Sequence, residues 1–118
     1  MIDHGRICLE QLEFGTRSLT GAIQGLSPEQ LAQVPPGLGN SIATLVLHVA
    51  AVEVSIAHAI TGREVPAELK PDFLLDQPHG PGSPLPQAPA GETAESLLQK
   101  LSRARGILTE AVGQLTEA

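Results

Sequence analysis

The sequence contains almost no aromatic side chains. It has no tryptophan, no tyrosine and two phenylalanines, Phe14 and Phe73, among 118 residues. Leucine, isoleucine, valine and alanine must therefore fill the core. These side chains suit packed helices better than sheets, whose faces favour aromatic and β-branched residues. The composition thus predicts a small helical domain.

Basic side chains are also scarce. Seven lysines and arginines stand against 13 aspartates and glutamates, which gives a formal net charge of −6, and no two of the basic residues are adjacent. Because nothing concentrates positive charge against phosphates, we expect no nucleic-acid partner and no membrane partner.

Cysteine occurs once, as Cys8. A single thiol excludes an internal disulfide and a zinc site built from several thiolates. The N-terminal residues also lack the basic stretch and apolar segment of a signal peptide. We therefore expect a reduced, cytoplasmic protein.

What the sequence does contain is apolar residues at helical spacing. This spacing predicts three long helices, over residues of about 3–25, 41–61 and 94–116, in one all-α domain that spans 1–118. No internal repeat is visible.

Local end signals support these helices. Ser27 and Gln30 form the pattern of a capping box and predict a short helix after the first long one. Asn40 and Thr93 are the predicted N-caps of the second and third long helices, and Gly62 is the predicted left-handed residue past the end of the second.

The middle helix is apolar almost all round. Residues 42–60 are about as long as the shortest membrane span, but His48, Glu53 and His58 interrupt them and no basic flank orients the segment. A central helix of a bundle is the better interpretation. Since two other helices cannot enclose it, we expect either the long loop or a second copy of the chain to cover it, and we predict a homo-oligomer, at minimum a homodimer.

A long connection precedes the last helix. Residues 63–92 contain seven of the ten prolines. Loops of this length are uncommon in compact domains. A loop of this length can return the chain along a bundle, so that the last helix runs parallel to the helix before it.

One stretch of the chain resembles a known family. The segment GNSIATLVLHVAAVE, residues 39–53, is similar to the second helix of the DinB/YfiT-like superfamily, in which a small polar pair precedes an apolar helix that carries a histidine and, five residues later, an acid. The preceding GLSPEQLAQVPPG, residues 25–37, resembles the link between the first two helices of that family. The Thr61-Gly62-Arg63 sequence and the long loop also fit, so that the resemblance covers roughly residues 3–115.

The resemblance implies a bundle of four helices in up-down-down-up order, often dimeric. It also implies a divalent nickel, zinc or iron ion held by three histidines and, in some members, thiol transfer or isomerisation with bacillithiol or mycothiol. His48 matches the metal ligand of the second helix. The other two ligands belong to the fourth helix, which has no counterpart before Ala118, so we expect a short form reduced to three long helices.

Several side chains are candidates for a site. We expect His48 to point inward with Leu45 and Val52, either as a core histidine or as a metal ligand completed by His79 from the loop or by a second copy of itself. His58 lies about 15 Å further along the helix and cannot share that ion.

Three other side chains have simpler interpretations. Glu53 lies on another side of the helix from His48 and is expected to be a paired acid at an interface. Cys8 and His58 could form a reactive pair, but a cysteine on an apolar stripe is usually a small core residue. His4 is expected to be solvated.

Two functions follow from these candidates. The first is a non-catalytic bundle with an incomplete metal site, which associates with itself or binds a small apolar ligand. The second is a metal-dependent thiol transferase-like enzyme whose site is completed across subunits or by the loop. One inward histidine favours the first.

Overall fold

The chain folds into helices joined by loops. The computed structural model describes residues 4–37, 39–77 and 84–116. Within these ranges it has four α-helices and no strand, namely α1 (His4–Ile23), α2 (Pro28–Ala32), α3 (Ile42–Thr61) and α4 (Ala94–Thr116), and one 3-10 turn at Pro71–Phe73. The all-α class is confirmed, and each long helix begins and ends within two residues of its predicted bounds.

Three of the predicted helix ends have the expected hydrogen bonds. The Ser27 hydroxyl accepts from the Gln30 N–H at 3.1 Å, and the Gln30 side chain accepts from the Ser27 N–H at 2.9 Å. The Thr93 hydroxyl accepts from the Ser96 N–H at 3.0 Å, at the start of α4. Gly62 ends α3 with φ of 71°, a left-handed conformation that glycine adopts without steric cost.

The predicted N-cap of α3 was wrong by one residue. Ser41, not Asn40, caps this helix, because its hydroxyl accepts from the Thr44 N–H at 3.1 Å. The Asn40 side chain instead accepts from the Gln87 amide at 3.2 Å. Both residue types are good caps, so the sequence offered two adjacent starts.

Helices α3 and α4 run parallel and form the main helix contact. Three buried clusters follow one another along it, and the residue numbers rise together in both helices. Representative pairs that share a cluster are Leu47 with Leu97, Ala50 with Leu101, and Ala57 with Leu108. This is the direction predicted from the long connection.

Helix α1 runs antiparallel to this pair and packs on α4. Ile23 lies in the first cluster with Leu97, and Leu19 packs against the first and second clusters. Further back along α1, Thr16 contacts Arg105. The order is therefore up-down-down, as the first three helices of the predicted bundle require. α1 and α3 scarcely touch, so α4, and not α3 as predicted, is the helix between the other two. Among the described residues, one side of α3 stays uncovered.

The long connection 63–92 between α3 and α4, which we call the return segment, contacts both helices. Phe73 is buried in the second cluster, and Asp72 beside it accepts from Arg103 of α4 at 2.8 Å. After the part that lies outside the described residues, the Ala88 N–H donates to the buried Thr44 hydroxyl at 3.0 Å. The loop therefore covers one side of α3, as one of the two sequence-based alternatives proposed.

By length and composition alone, α3 could cross a membrane. Half of its most apolar 18-residue window is buried inside the fold, however, and a core helix of a soluble protein meets the same criterion. Its buried glutamate also pairs with an arginine of α4. The packing therefore favours the interpretation as a bundle helix.

Candidate functional site

The uncovered side of α3 carries a regular row of aliphatic side chains. Its five large members are between 37% and 48% exposed. Their positions alternate in steps of three and four, the spacing of a helix seam that packs against another helix. We call this row, with the exposed Ala59 that continues it, the outer face of α3: Ile42, Leu45, Val49, Val52, Ile56 and Ala59.

The outer face has no formal charge. Glu53 is the single Asp, Glu, Lys or Arg in α3, and it is buried on another side of the helix with 4% exposure. His48 and Ser55, both exposed, flank the row along one edge. An aliphatic row without charges, flanked by an imidazole and a hydroxyl, is the composition of a surface that packs against another apolar surface.

The predicted orientation of His48 was wrong. His48 does share a side of α3 with Leu45 and Val52, but this side is the exposed one. The buried side combines alanines, such as Ala43 and Ala50, with larger apolar residues such as Leu47. Because α3 is apolar almost all round, the hydrophobic pattern did not identify its inner side.

The described residues of one chain do not provide a metal site. No group of three or more His, Cys, Asp or Glu side chains that could hold an ion occurs among residues 4–37, 39–77 and 84–116. His58 faces another cleft, and its Nδ1 lies 2.9 Å from the Val54 carbonyl. His79, the second predicted ligand, lies outside the described residues. His48 is thus a single donor where a catalytic zinc site needs about three.

Glu53 takes part in a contact between three helices, and the sequence did not reveal its partners. Its carboxylate accepts two hydrogen bonds from Arg105 of α4, at 2.5 Å from Nε and 3.1 Å from Nη2. The same Nη2 also donates to the Thr16 hydroxyl of α1 at 2.7 Å. The expected paired acid is confirmed, but within one chain, where it joins three helices. Only the midpoint position of Glu53 in an apolar helix could have signalled a cationic partner.

Cys8 and His58 do not form a pair. Cys8 is an exposed free thiol on α1. No hydrogen bond joins it to His58 in the part of the chain that the structure describes, and the His58 ring is held by the backbone of its own helix. The expectation of a buried core cysteine was also wrong, because the N-terminal half of α1 extends beyond the clusters.

A cleft of about 250 Å³ lies between α3 and the return segment. Its α3 wall includes His48, Ala51 and Ser55, and its opposite wall includes Phe73 and Leu75. Val52 and Ile56 belong both to the cleft and to the outer face. The candidate site is therefore one continuous apolar surface, which consists of the outer face and the cleft beside it.

The family is identified by sequence comparison. The sequence model of the DinB superfamily matches residues 11–118. The chain belongs to the DinB superfamily. No curated protein and no solved structure gives a significant match. DinB membership agrees with the up-down-down order of the three long helices and says nothing by itself about which members this chain resembles in activity.

Proposed function

We propose that this DinB-type chain works as a self-associating, non-catalytic bundle, in which the outer face of α3 packs against the same face of a second copy. The observation that carries the proposal is the uncharged row of half-exposed aliphatic side chains at heptad spacing. Among the described residues, a single imidazole lies at this surface and gives no donor set for metal catalysis, which favours association over chemistry.

The size of the outer face fits this function. Its half-exposed side chains together present an apolar area on the order of a few hundred Å², which is comparable with the largest apolar patch of a typical monomer, a patch that is often functional. Since each chain carries a net charge of −6, an uncharged contact surface also avoids direct repulsion between copies.

The row is complementary to itself when two α3 helices pack antiparallel about a twofold axis. With the axis between residues 50 and 51, Ile42 opposes Ala59 of the second copy, Leu45 opposes Ile56, and Val49 opposes Val52. Each of these layers combines the two kinds of heptad position, as antiparallel helix pairs do. The bulky Ile42 meets the smallest member of the row, which keeps the helix separation uniform.

Light scattering coupled to size exclusion tests this proposal. We expect the native chain to have twice the 12.3 kDa chain mass, and Val49→Glu to have the mass of one chain, because it places a charge at the centre of the contact. Val34→Glu is the matched control, because Val34 is 47% exposed and lies in the link between α2 and α3, outside the outer face. It should leave the mass unchanged. A native chain that is folded and has the mass of one copy would contradict the proposal.

A metal-dependent thiol transferase-like activity is the second candidate. It is supported by the exposure of His48 beside the outer face, where donors from a second copy could reach it. Nickel, zinc and iron are the ions that the family resemblance implies. Elemental analysis of the native protein and of His48→Ala distinguishes the two functions. One of these ions at one per chain or one per dimer, and absent from the variant, would overturn the non-catalytic proposal.

A further inference from the structure

We propose that the cleft between α3 and the return segment is a binding site for a small, uncharged, mostly apolar molecule that carries one hydroxyl-type polar group. The site lies within one chain, and this inference goes beyond the association proposed above.

The walls determine the class of molecule. The residues that line the cleft are aliphatic or aromatic except for His48 and Ser55, and none is Asp, Glu, Lys or Arg. Phe73, itself 1% exposed, provides part of the inner wall. Phosphorylated, carboxylated and cationic ligands would lose their hydration here without a partner of opposite charge, so the walls select against them.

The volume limits the size. An apolar cavity of about 150 Å³ is large enough to hold benzene. The cleft measures about 250 Å³, which fits about two fused rings or a short branched chain. Larger metabolites and lipids with long acyl chains would extend beyond it.

The polar group of the ligand follows from the two exceptions in the lining. His48 and Ser55 are seven residues apart in α3, and therefore they lie on the same side of the helix, two turns from each other. Neither side chain has a hydrogen-bond partner among the described residues. A hydroxyl on the ligand can donate to the imidazole or accept from it, while the rest of the molecule contacts the apolar walls.

Fluorescence of 2-naphthol provides a direct test, because the protein has neither tryptophan nor tyrosine to emit in the same range. We expect saturable binding at one site per chain. Ala51→Phe should weaken binding at least tenfold by filling the cleft, whereas Ala22→Phe, on the exposed surface of α1, should leave it unchanged. Ser55→Phe fills the same cleft from an exposed position and serves if Ala51→Phe does not fold.

A matched ligand isolates the polar contact. His48→Ala should weaken 2-naphthol about three- to tenfold, the usual range for one hydrogen bond, and should leave naphthalene unchanged. All measurements are repeated in Val49→Glu, because residue 49 does not line the cleft. This repeat distinguishes a failure of self-association from a failure of ligand binding. Absence of saturable binding, or equal binding by the variants that fill the cleft, would overturn the proposal.

Discussion

At the scale of single residues, the Arg105–Glu53 contact joins α4 to α3, and the Thr16 hydroxyl of α1 accepts from the same guanidinium. The two side chains are 12% and 6% exposed, and so each charge has lost most of its water. Two hydrogen bonds to Glu53 and one to Thr16 compensate for that loss on one side of the guanidinium. The Nη1 atom is buried and has no hydrogen-bond partner among the described residues. Because desolvation offsets the attraction between two buried charges, we expect the intact pair to add little net stability, whereas the loss of one partner is costly.

We predict that Arg105→Met lowers the free energy of unfolding by about 3 kcal/mol, because it leaves the Glu53 carboxylate buried without a cation. Urea denaturation followed by circular dichroism measures the change. The double variant Glu53→Leu/Arg105→Met removes both charges and should recover most of the loss. A single variant as stable as the native chain would show that water already reaches Glu53.

The pairing of Glu53 was predictable and its partner was not. A carboxylate in the middle of an apolar helix needs a cation or a hydrogen-bond donor wherever it is buried. Arg105 lies 52 positions later in the sequence, beside two other basic residues of α4, Lys100 and Arg103. Helical periodicity does not say which of the three reaches Glu53, and only the register of α3 against α4 selects Arg105.

At the scale of elements, local signals predicted where the helices begin and end more reliably than which of their sides are buried. Ser27, Thr93 and Gly62 act on backbone groups within four residues of themselves, so their effect could be predicted from the sequence. The side of α3 that meets α4 depends instead on the fit between whole helices. Ala50 and Leu47 occupy that side, whereas the equally apolar Leu45 remains outside.

The attachment of the return segment to α3 depends on Thr44. Its buried hydroxyl accepts from the Ala88 N–H, which no helix or strand would otherwise satisfy. We predict that Thr44→Val lowers the free energy of unfolding by about 1–3 kcal/mol, the cost of a buried donor without a partner. Hydrogen exchange should also become faster at Ala88.

The matched control for this variant is Thr61→Val at the end of α3, where the hydroxyl donates to a carbonyl of its own helix and holds no loop. Faster exchange at Ala88 in Thr44→Val and not in Thr61→Val is expected. Equal exchange in both variants would mean that the loop is held by its apolar contacts alone.

At the scale of the whole molecule, the order of the helices followed from loop lengths. The short link around α2 reverses the chain, and the long segment 63–92 allows α4 to run parallel to α3. These constraints are topological and can be read from the sequence. The number of sides of α3 that remain uncovered depends on the angle at which α1 packs on α4. No local sequence pattern determines that angle.

Disulfide cross-linking can test whether two copies pack with their α3 helices antiparallel, which no measurement of single-chain stability can do. In a Cys8→Ser background, Ile42→Cys alone should form no disulfide dimer, because the two copies of residue 42 would lie about 25 Å apart at 1.5 Å of rise per residue. Mixing this protein with Ala59→Cys protein should form a disulfide between different chains, since the twofold arrangement brings these positions within bonding range. Non-reducing electrophoresis measures the fraction of disulfide-linked dimer in both samples. Efficient bridging by Ile42→Cys alone would indicate parallel helices instead, and the absence of bridging in both samples would show that the outer face of α3 does not meet itself.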